Sequence, residues 1–443
     1  MFQAGFARVD ITPTLGSPLA GYFKVRYADN ILDSLQLNAL AVRDDETTAV
    51  YIAGDVISIR LPEANELRGM LSERFGIPAE NFLLQGLHQH TSFRIGTTFK
   101  GDHMQDPAFL DVLYRKFGDV VQMALDDLAE ARVFVADKET AEPISFVRRF
   151  RMKDGSTRTN PGCLNPDIDH PIGDADNTVR LVKFVREGKD TIALVHFSTH
   201  PDVIGGNNIS SDWPGWVRRL TEAELDGVHC IMINGFQGDV NHINVSKPSV
   251  TQKGDPLATE KKYADSRRMG RIITEAVKEL WDKTEEKKCT PIATYGTVEY
   301  IPTNTKYIDE IDRFRKMKED FEAGLIKLPM GPRAEMNRVL GLPDQALFQK
   351  MPVSVLGMGE IAIVGLGGEP FTWYAEKARE AAPELYLLPA CLVNGGQGYL
   401  PSATAFEEGG YEAVGSSFTP ILAERIPATI GGFLNEHKEK LNG

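Results

Sequence analysis

Residues 81–92 read NFLLQGLHQHTS. The apolar run Phe82-Leu83-Leu84 has the character of a buried strand. His88 and His90 follow it directly. Two histidines at period two on a strand point to the same face, so at a strand end they can converge on one point. The chain has nine histidines in all, and two of them fall in this short stretch. Imidazole is the commonest protein ligand for zinc and the usual general base near neutral pH. The plain alternative is a pair of hydrogen-bonded loop histidines.

Working outward, strand-like and helix-like segments alternate, the pattern of an α/β fold with mixed β-sheets and flanking helices. Thr48–Asp55 reads as a buried strand ending in an acid, and 63–75 has helical apolar spacing closed by Gly76. A long amphipathic helix is expected over 106–130 and a strand over 132–136. Residues 151–177, rich in Gly, Pro, Asn and Asp, read as a long loop of the kind that walls active sites. Strands are expected at 179–185, 191–197 and 229–234, then a charged helix at 257–282. Residues 306–349 form a polar, helix-rich insertion, open to reading as a lid or a dimer contact, so a homo-oligomer stays open. Strands at 361–366 and 386–393 and a helix from about 418 close the chain. No linker and no internal repeat is visible, which favours one large domain over 1–443.

A net charge of −13 argues against nucleic acid or an anionic membrane surface as the main partner and leaves a small-molecule substrate. No signal peptide is visible at the start and no apolar stretch is long enough to span a bilayer. Four scattered cysteines without a CxxC pair suggest free thiols and a cytoplasmic location.

Five clusters follow strand ends, the usual place for an α/β active site. They are Gly86–Ser92; the stretch Val195-His196-Phe197-Ser198-Thr199-His200-Pro201 with SSDWPG at 210–215; NGFQGDVN at 234–241; Gly367-Gly368-Glu369-Pro370; and NGGQGYLP at 394–401 with Tyr411 beyond it. Each has an ordinary reading as well. His196 alternates with apolar neighbours as a core histidine does, Asp239 can hold a turn, and Glu369 can serve the next helix N-terminus. Together, strand-end His, His and Glu supply the ligands of a hydrolytic zinc site with open coordination.

The ordered set GFARVDITP, GLHQHTS, FSTHP, SSDWPG, NGFQGDVN, GGEPF and GYLP…GGYE resembles the catalytic domain of neutral/alkaline ceramidases and their shorter bacterial relatives. The resemblance implies a hydrolase acting on amide C–N bonds with one zinc per chain. It implies that His88, His200, Glu369 and Tyr399 hold the metal and that His90 acts beside the activated water. It implies that Tyr411, twelve residues after Tyr399, contacts the substrate carbonyl. The family arginine corresponds best to Arg148, with Arg149 as a substitute. Asp55 and Asp239 are expected to orient ligand histidines.

Two departures bear on the substrate. The family's Gly-Asp-Val-Ser-Pro-Asn is Gly238–Ile243 here, so Asn241 replaces the serine once considered a nucleophile. The first motif continues into Phe93-Arg94 rather than a glycine-rich run. Arg94 near the metal histidines points to a polar or anionic substrate, the alternative being a surface arginine paired with a loop acid. The expectation is a metal hydrolase for an amide, or an ester or lactone, of a small polar molecule. Its rivals are a ceramidase or N-acyl-lipid amidase and a non-catalytic ligand-binding descendant.

Overall fold

Three stretches of chain follow one path: two antiparallel hairpin steps, a helical crossover, and a strand parallel to the third. The first is β1 (Gln3–Asp10), β2 (Gln36–Arg43), β3 (Thr48–Gly54), α1 (Leu61–Phe75) and β4 (Phe82–Gly86), with α2 (Pro107–Asp126) after it. The second is β5 (Ala129–Glu139), β6 (Thr178–Arg186), β7 (Thr191–Phe197), α3 (Asp212–Glu224) and β8 (Val228–Asn234), followed by α4 (Ala258–Leu280). The third is β9 (Ile292–Pro302), β10 (Phe348–Met358), β11 (Ile361–Leu366), α5 (Thr372–Ala381) and β12 (Tyr386–Ala390), followed by α6 (Leu422–Asn442). The computed structural model describes residues 1–96 and 105–442.

This repeat overturns the expectation of none. The three units share topology, but their hairpin connections at 11–35, 140–177 and 303–347 differ in length and content. Strand pairing and helix crossover need only apolar periodicity, which many sequences satisfy, so no residue pattern recurs.

The first two units join through β1 and β5 into a nine-stranded sheet ordered β8-β7-β6-β5-β1-β2-β3-β4, with Glu285–Lys287 added on β5. The third forms a separate sheet, β9-β10-β11-β12. The large sheet curls until its two edge strands meet. Buried Gln85, at the end of β4, donates through Nε2 to the carbonyls of Asn234 after β8 and Cys391 after β12, both at 2.7 Å. Asn394 N donates to Leu84 O at 2.8 Å. The three crossover units therefore bring the carboxyl ends of their parallel strands to one place, where α/β proteins bind ligands.

The core divides by layer. Tyr51, Leu83, Val195 and Ile231 pack between the sheets with Leu388. Leu67, Leu71, Phe82 and Phe117 pack under α1 and α2. Val355, Val364, Tyr374 and Ile430 pack under α5 and α6. Strands buried on both faces read as continuous apolar runs, which is why β4 and β8 were legible.

Two local expectations need correction. The helix after 106 ends at Asp126, because the two-residue burial alternation of β5 already begins at Ala129. Residues 151–177 are not all loop: Arg149–Met152 pairs with both Thr157–Thr159 and Ile168–Pro171. The 306–349 insertion holds two helices, Ile311–Glu322 and Met330–Gly341, with their own small core of Phe314, Met336, Val339 and Leu342. Among the described residues no helix is long and apolar enough to cross a membrane.

Candidate metal centre

Leu87, His88 and Gln89 lie beyond the end of β4, so strand pleating does not aim the two histidines. His88 instead takes a left-handed backbone at φ 78°, a conformation uncommon outside glycine and a frequent mark of functional loops. Its N–H donates to Val56 O at 2.9 Å. That kink turns the two rings toward each other, with their Nε2 atoms 3.3 Å apart.

His200 comes from the turn after β7 and Glu369 from the turn after β11. Glu369 Oε2 lies 3.2 Å from both His88 Nε2 and His200 Nε2. The ligand atoms of His88, His90 and His200 all lie within 4.8 Å of one another, and all three residues are buried. This set can hold a metal ion.

The hydrogen bonds behind the rings fix which nitrogens face inward. His88 Nδ1 donates to Ile57 O at 2.8 Å. His200 Nδ1 donates to Gln237 O at 2.8 Å and Val240 O at 3.0 Å. A neutral imidazole has one N–H, so both Nε2 atoms present lone pairs to the Glu369 carboxylate. Lone pairs at these distances without a proton between them repel, and a cation among them relieves the repulsion. Burial lowers the pKa of His200 to about 3, with Arg148 adding to the shift. Burial likewise lowers His90 to about 4, against the opposing pull of Asp202. Both rings are thus neutral near pH 7, as metal ligation requires.

One wall carries the other expected residues. Glu369–Pro370 forms a two-residue parallel ladder with Tyr399–Leu400, which sets Tyr399 beside Glu369. A Cβ on Gly238 would sit 2.3 Å from Glu369 O, so this turn closes over the ladder only with glycine there. Tyr399 and Tyr411 meet edge to face at 5.4 Å between centroids. Burial raises Tyr411 to about 12 and Tyr399 further, so both phenols keep their protons.

Arg148 turns toward the centre, with Nη1 3.3 Å from His200 Nε2, Nη2 donating to Gly238 O at 2.7 Å, and the guanidinium over the Tyr399 ring. Arg149 turns away. Its Nη2 donates to Glu408 Oε2 at 3.0 Å and Gly409 O at 2.9 Å, which braces the 408–412 segment. Arg148 stands between the short strands Phe146–Val147 and Arg149–Met152, and the two neighbouring arginines leave the backbone toward different partners.

Among the described residues the Nδ1 atoms of His88 and His200 are held by backbone carbonyls, not by Asp55 or Asp239. Asp239 accepts from Thr372 N at 2.8 Å and Thr372 Oγ1 at 3.0 Å, tying the start of α5 to the 238–241 turn. Asp55 pairs with Arg218 through two bonds, at 2.5 and 3.0 Å, and accepts from Gln89 Nε2 at 2.7 Å. It thereby anchors the residue between the two histidines. Arg218→Ala should leave that carboxylate buried without a countercharge and cost roughly 3–5 kcal/mol. Urea denaturation measures this, and a loss below about 1 kcal/mol would contradict it.

Arg94 pairs in a short ladder with Ser58 and donates to its Oγ at 3.2 Å. Arg60 and Glu369 are close enough to perturb its charge, so it belongs to the same neighbourhood. His196 donates to Pro389 O at 3.0 Å and is a core histidine. Asn241 donates to Asn160 Oδ1 at 2.8 Å, a turn contact.

Two acids escaped the sequence reading. Fully buried Glu412 lies 2.7 Å from Arg148 Nε and accepts from Thr159 Oγ1 at 2.7 Å. Its signal was adjacency to Tyr411 in the GGYE motif. Asp202, two residues after His200, faces His90 Nδ1 at 3.7 Å.

No protein-family profile matches the chain, and no curated protein does. Among solved structures, neutral ceramidase from Pseudomonas aeruginosa matches with TM-score 0.73 at 14% identity, covering 99% of this chain and 75% of that one. The chain has the neutral ceramidase fold. A ceramidase complexed with C2 gives TM-score 0.69 at 14% identity, covering 98% of this chain and 74% of that one. On this ceramidase fold, the helical insertion at 306–349 packs beside the site. Arg333 stacks over Phe23 at 4.3 Å, and Phe23 in turn meets Tyr411 at 6.1 Å.

Proposed function

We propose that the protein is a zinc-dependent hydrolase that cleaves an amide bond in a small polar or anionic substrate. The convergence of three inward Nε2 atoms with the Glu369 carboxylate carries this reading. His88, His200, Glu369 and Tyr399 would hold the ion. Bound there, zinc supplies a Lewis acid and lowers the pKa of a coordinated water toward about 7.

His90 suits a different role from its neighbours. Carbonyls lock the Nδ1 atoms of His88 and His200, whereas His90 Nδ1 has no hydrogen-bond partner among the described residues. A ring that can change its protonation fits proton transfer better than fixed ligation. His90 Nε2 takes a proton from the attacking water as the C–O bond forms. It delivers that proton to the leaving nitrogen as the C–N bond breaks, releasing a carboxylic acid and an amine. Tyr411, protonated and buried, donates to the carbonyl oxygen as charge develops there. Glu412 holds Arg148 charged beside it.

Arg94 supports the substrate class: its charge near Glu369 suits an anionic group on the substrate. A second reading has a specific support. Tyr22 and Phe23, both exposed, meet His90 and Tyr411, and Val25 and Tyr27 next along the chain are exposed too, a rim suited to an acyl chain. The four cysteines all stand as free thiols, which supports a reducing compartment.

One experiment tests these points: metal analysis of the purified protein, then hydrolysis of N-acyl amino acids, neutral short N-acyl amines and long-chain N-acyl lipids. Zinc near one per chain and preference for N-acyl amino acids are expected. Arg94→Gln should raise KM for the anionic substrates about 10- to 100-fold, the value of one charge-assisted bond, and leave neutral ones alone. Preference for long-chain lipids would favour the second reading, and absence of zinc-dependent hydrolysis would remove both.

A further inference from the structure

The backbone around His90 is pinned on both sides. His90 N donates to Pro201 O at 3.0 Å, and Arg26 Nη2 donates to His90 O at 2.5 Å. Arg26 also stacks on the Tyr22 ring at 4.1 Å and binds Ala20 O at 2.6 Å, which holds residues 20–26 against the HQH turn. Gly21 stands so close that a Cβ there would lie 2.8 Å from His90 Nδ1, at a φ of 101° that glycine alone adopts readily. Only the orientation and proton placement of the His90 ring remain to be set.

The groups on its Nδ1 edge are Asp202 and Tyr22. Asp202 Oδ1 lies 3.7 Å from His90 Nδ1. The Tyr22 hydroxyl donates to the same Asp202 oxygen, and the Tyr22 ring meets the His90 ring edge-on at 5.3 Å between centroids. A movement of about 1 Å would bring Nδ1 and Oδ1 to hydrogen-bond distance, and such contacts often tighten only when substrate binds. His90 Nδ1 is buried and has no hydrogen-bond partner among the described residues.

We propose that Asp202, steadied by Tyr22, is a positioning residue that keeps the His90 proton on Nδ1 and leaves Nε2 as the acceptor. With the proton on Nε2 instead, His90 would donate to His88 Nε2, 3.3 Å away, and occupy a metal-ligand lone pair. The turn His200-Pro201-Asp202 thus serves both histidines: one residue faces the metal position, and the next but one sets the tautomer of the proton carrier. This rests on the reading of His90 as that carrier.

The test uses zinc-loaded protein with ring-¹⁵N histidine, the His90 signal being assigned by its loss in His90→Gln. Wild type should show Nδ1–H and a bare Nε2 at His90. Asp202→Ala should shift that signal toward the other tautomer and lower kcat about 10- to 100-fold, with KM and zinc content unchanged. Tyr22→Phe, which keeps the ring and removes only the donor, should move both readouts the same way by less. An unshifted His90 signal in Asp202→Ala, or loss of zinc in step with activity, would overturn the proposal. If wild type hydrolyses nothing although zinc is bound, the hydrolase reading falls, and the ¹⁵N signal still decides whether Asp202 sets the ring.

Discussion

Glu369→Gln is expected to weaken zinc binding by at least about 100-fold and to lower hydrolysis by more than the same factor. Loss of an outer partner of a metal ligand already costs about 10–100-fold, and a Glu369 oxygen meets both His88 and His200 at 3.2 Å. The glutamine keeps the volume and removes the charge. Its amide also brings an N–H among inward lone pairs, so the metal-free variant gains a hydrogen bond that metal-free wild type lacks. Metal-free Glu369→Gln should therefore be at least as stable to urea as metal-free wild type, although it binds zinc poorly. Competition with a chromophoric chelator measures the affinity. His196→Asn is the control, since His196 bonds only to Pro389 O and should not change it. Retention of wild-type zinc affinity in Glu369→Gln would remove Glu369 from the metal site.

How much of this was legible depended on range. Strands buried on both faces, such as β4, β7, β8 and β11, announced themselves as apolar runs. The HQH, His-Pro and Gly-Glu-Pro segments stood out because each follows such a run. That they meet was not readable, because it depends on Gln85 joining three strand ends drawn from three units. Pleat logic expected the two histidines to converge, and they do, but the kink at His88, not strand alternation, brings the rings together. Asp55 and Asp239 looked like partners for histidine because acids often are. Carbonyls of residues 57, 237 and 240 do that work here, and backbone acceptors leave no trace in side-chain identity. Glu412 and Asp202 were hidden for the converse reason. An acid in a turn is ordinary until its burial and its partner are known. The choice between Arg148 and Arg149 likewise needed the partners that each side chain reaches.

Tyr411→Phe should lower kcat about 100- to 1,000-fold, the usual effect of removing one oxyanion donor, and leave zinc content and KM close to wild type. The ring stays, so its edge contacts with Tyr399 and Phe23 survive and the wall keeps its shape. What goes is a phenol that burial keeps protonated, with a pKa near 12. Arg148 cannot simply take over. Its Nε is held at 2.7 Å from Glu412 and its Nη2 donates to Gly238 O, so only Nη1 reaches inward, and that faces His200. The same substitution at Tyr399 touches a residue laddered directly to Glu369, where loss of a hydroxyl ligand should reduce zinc affinity instead. The two tyrosines, similar in burial and in contact with each other, are thus separated by which quantity falls. If Tyr411→Phe loses zinc and Tyr399→Phe keeps it, the two roles are reversed. If neither variant changes kcat or zinc, the carbonyl is bound elsewhere than on this wall.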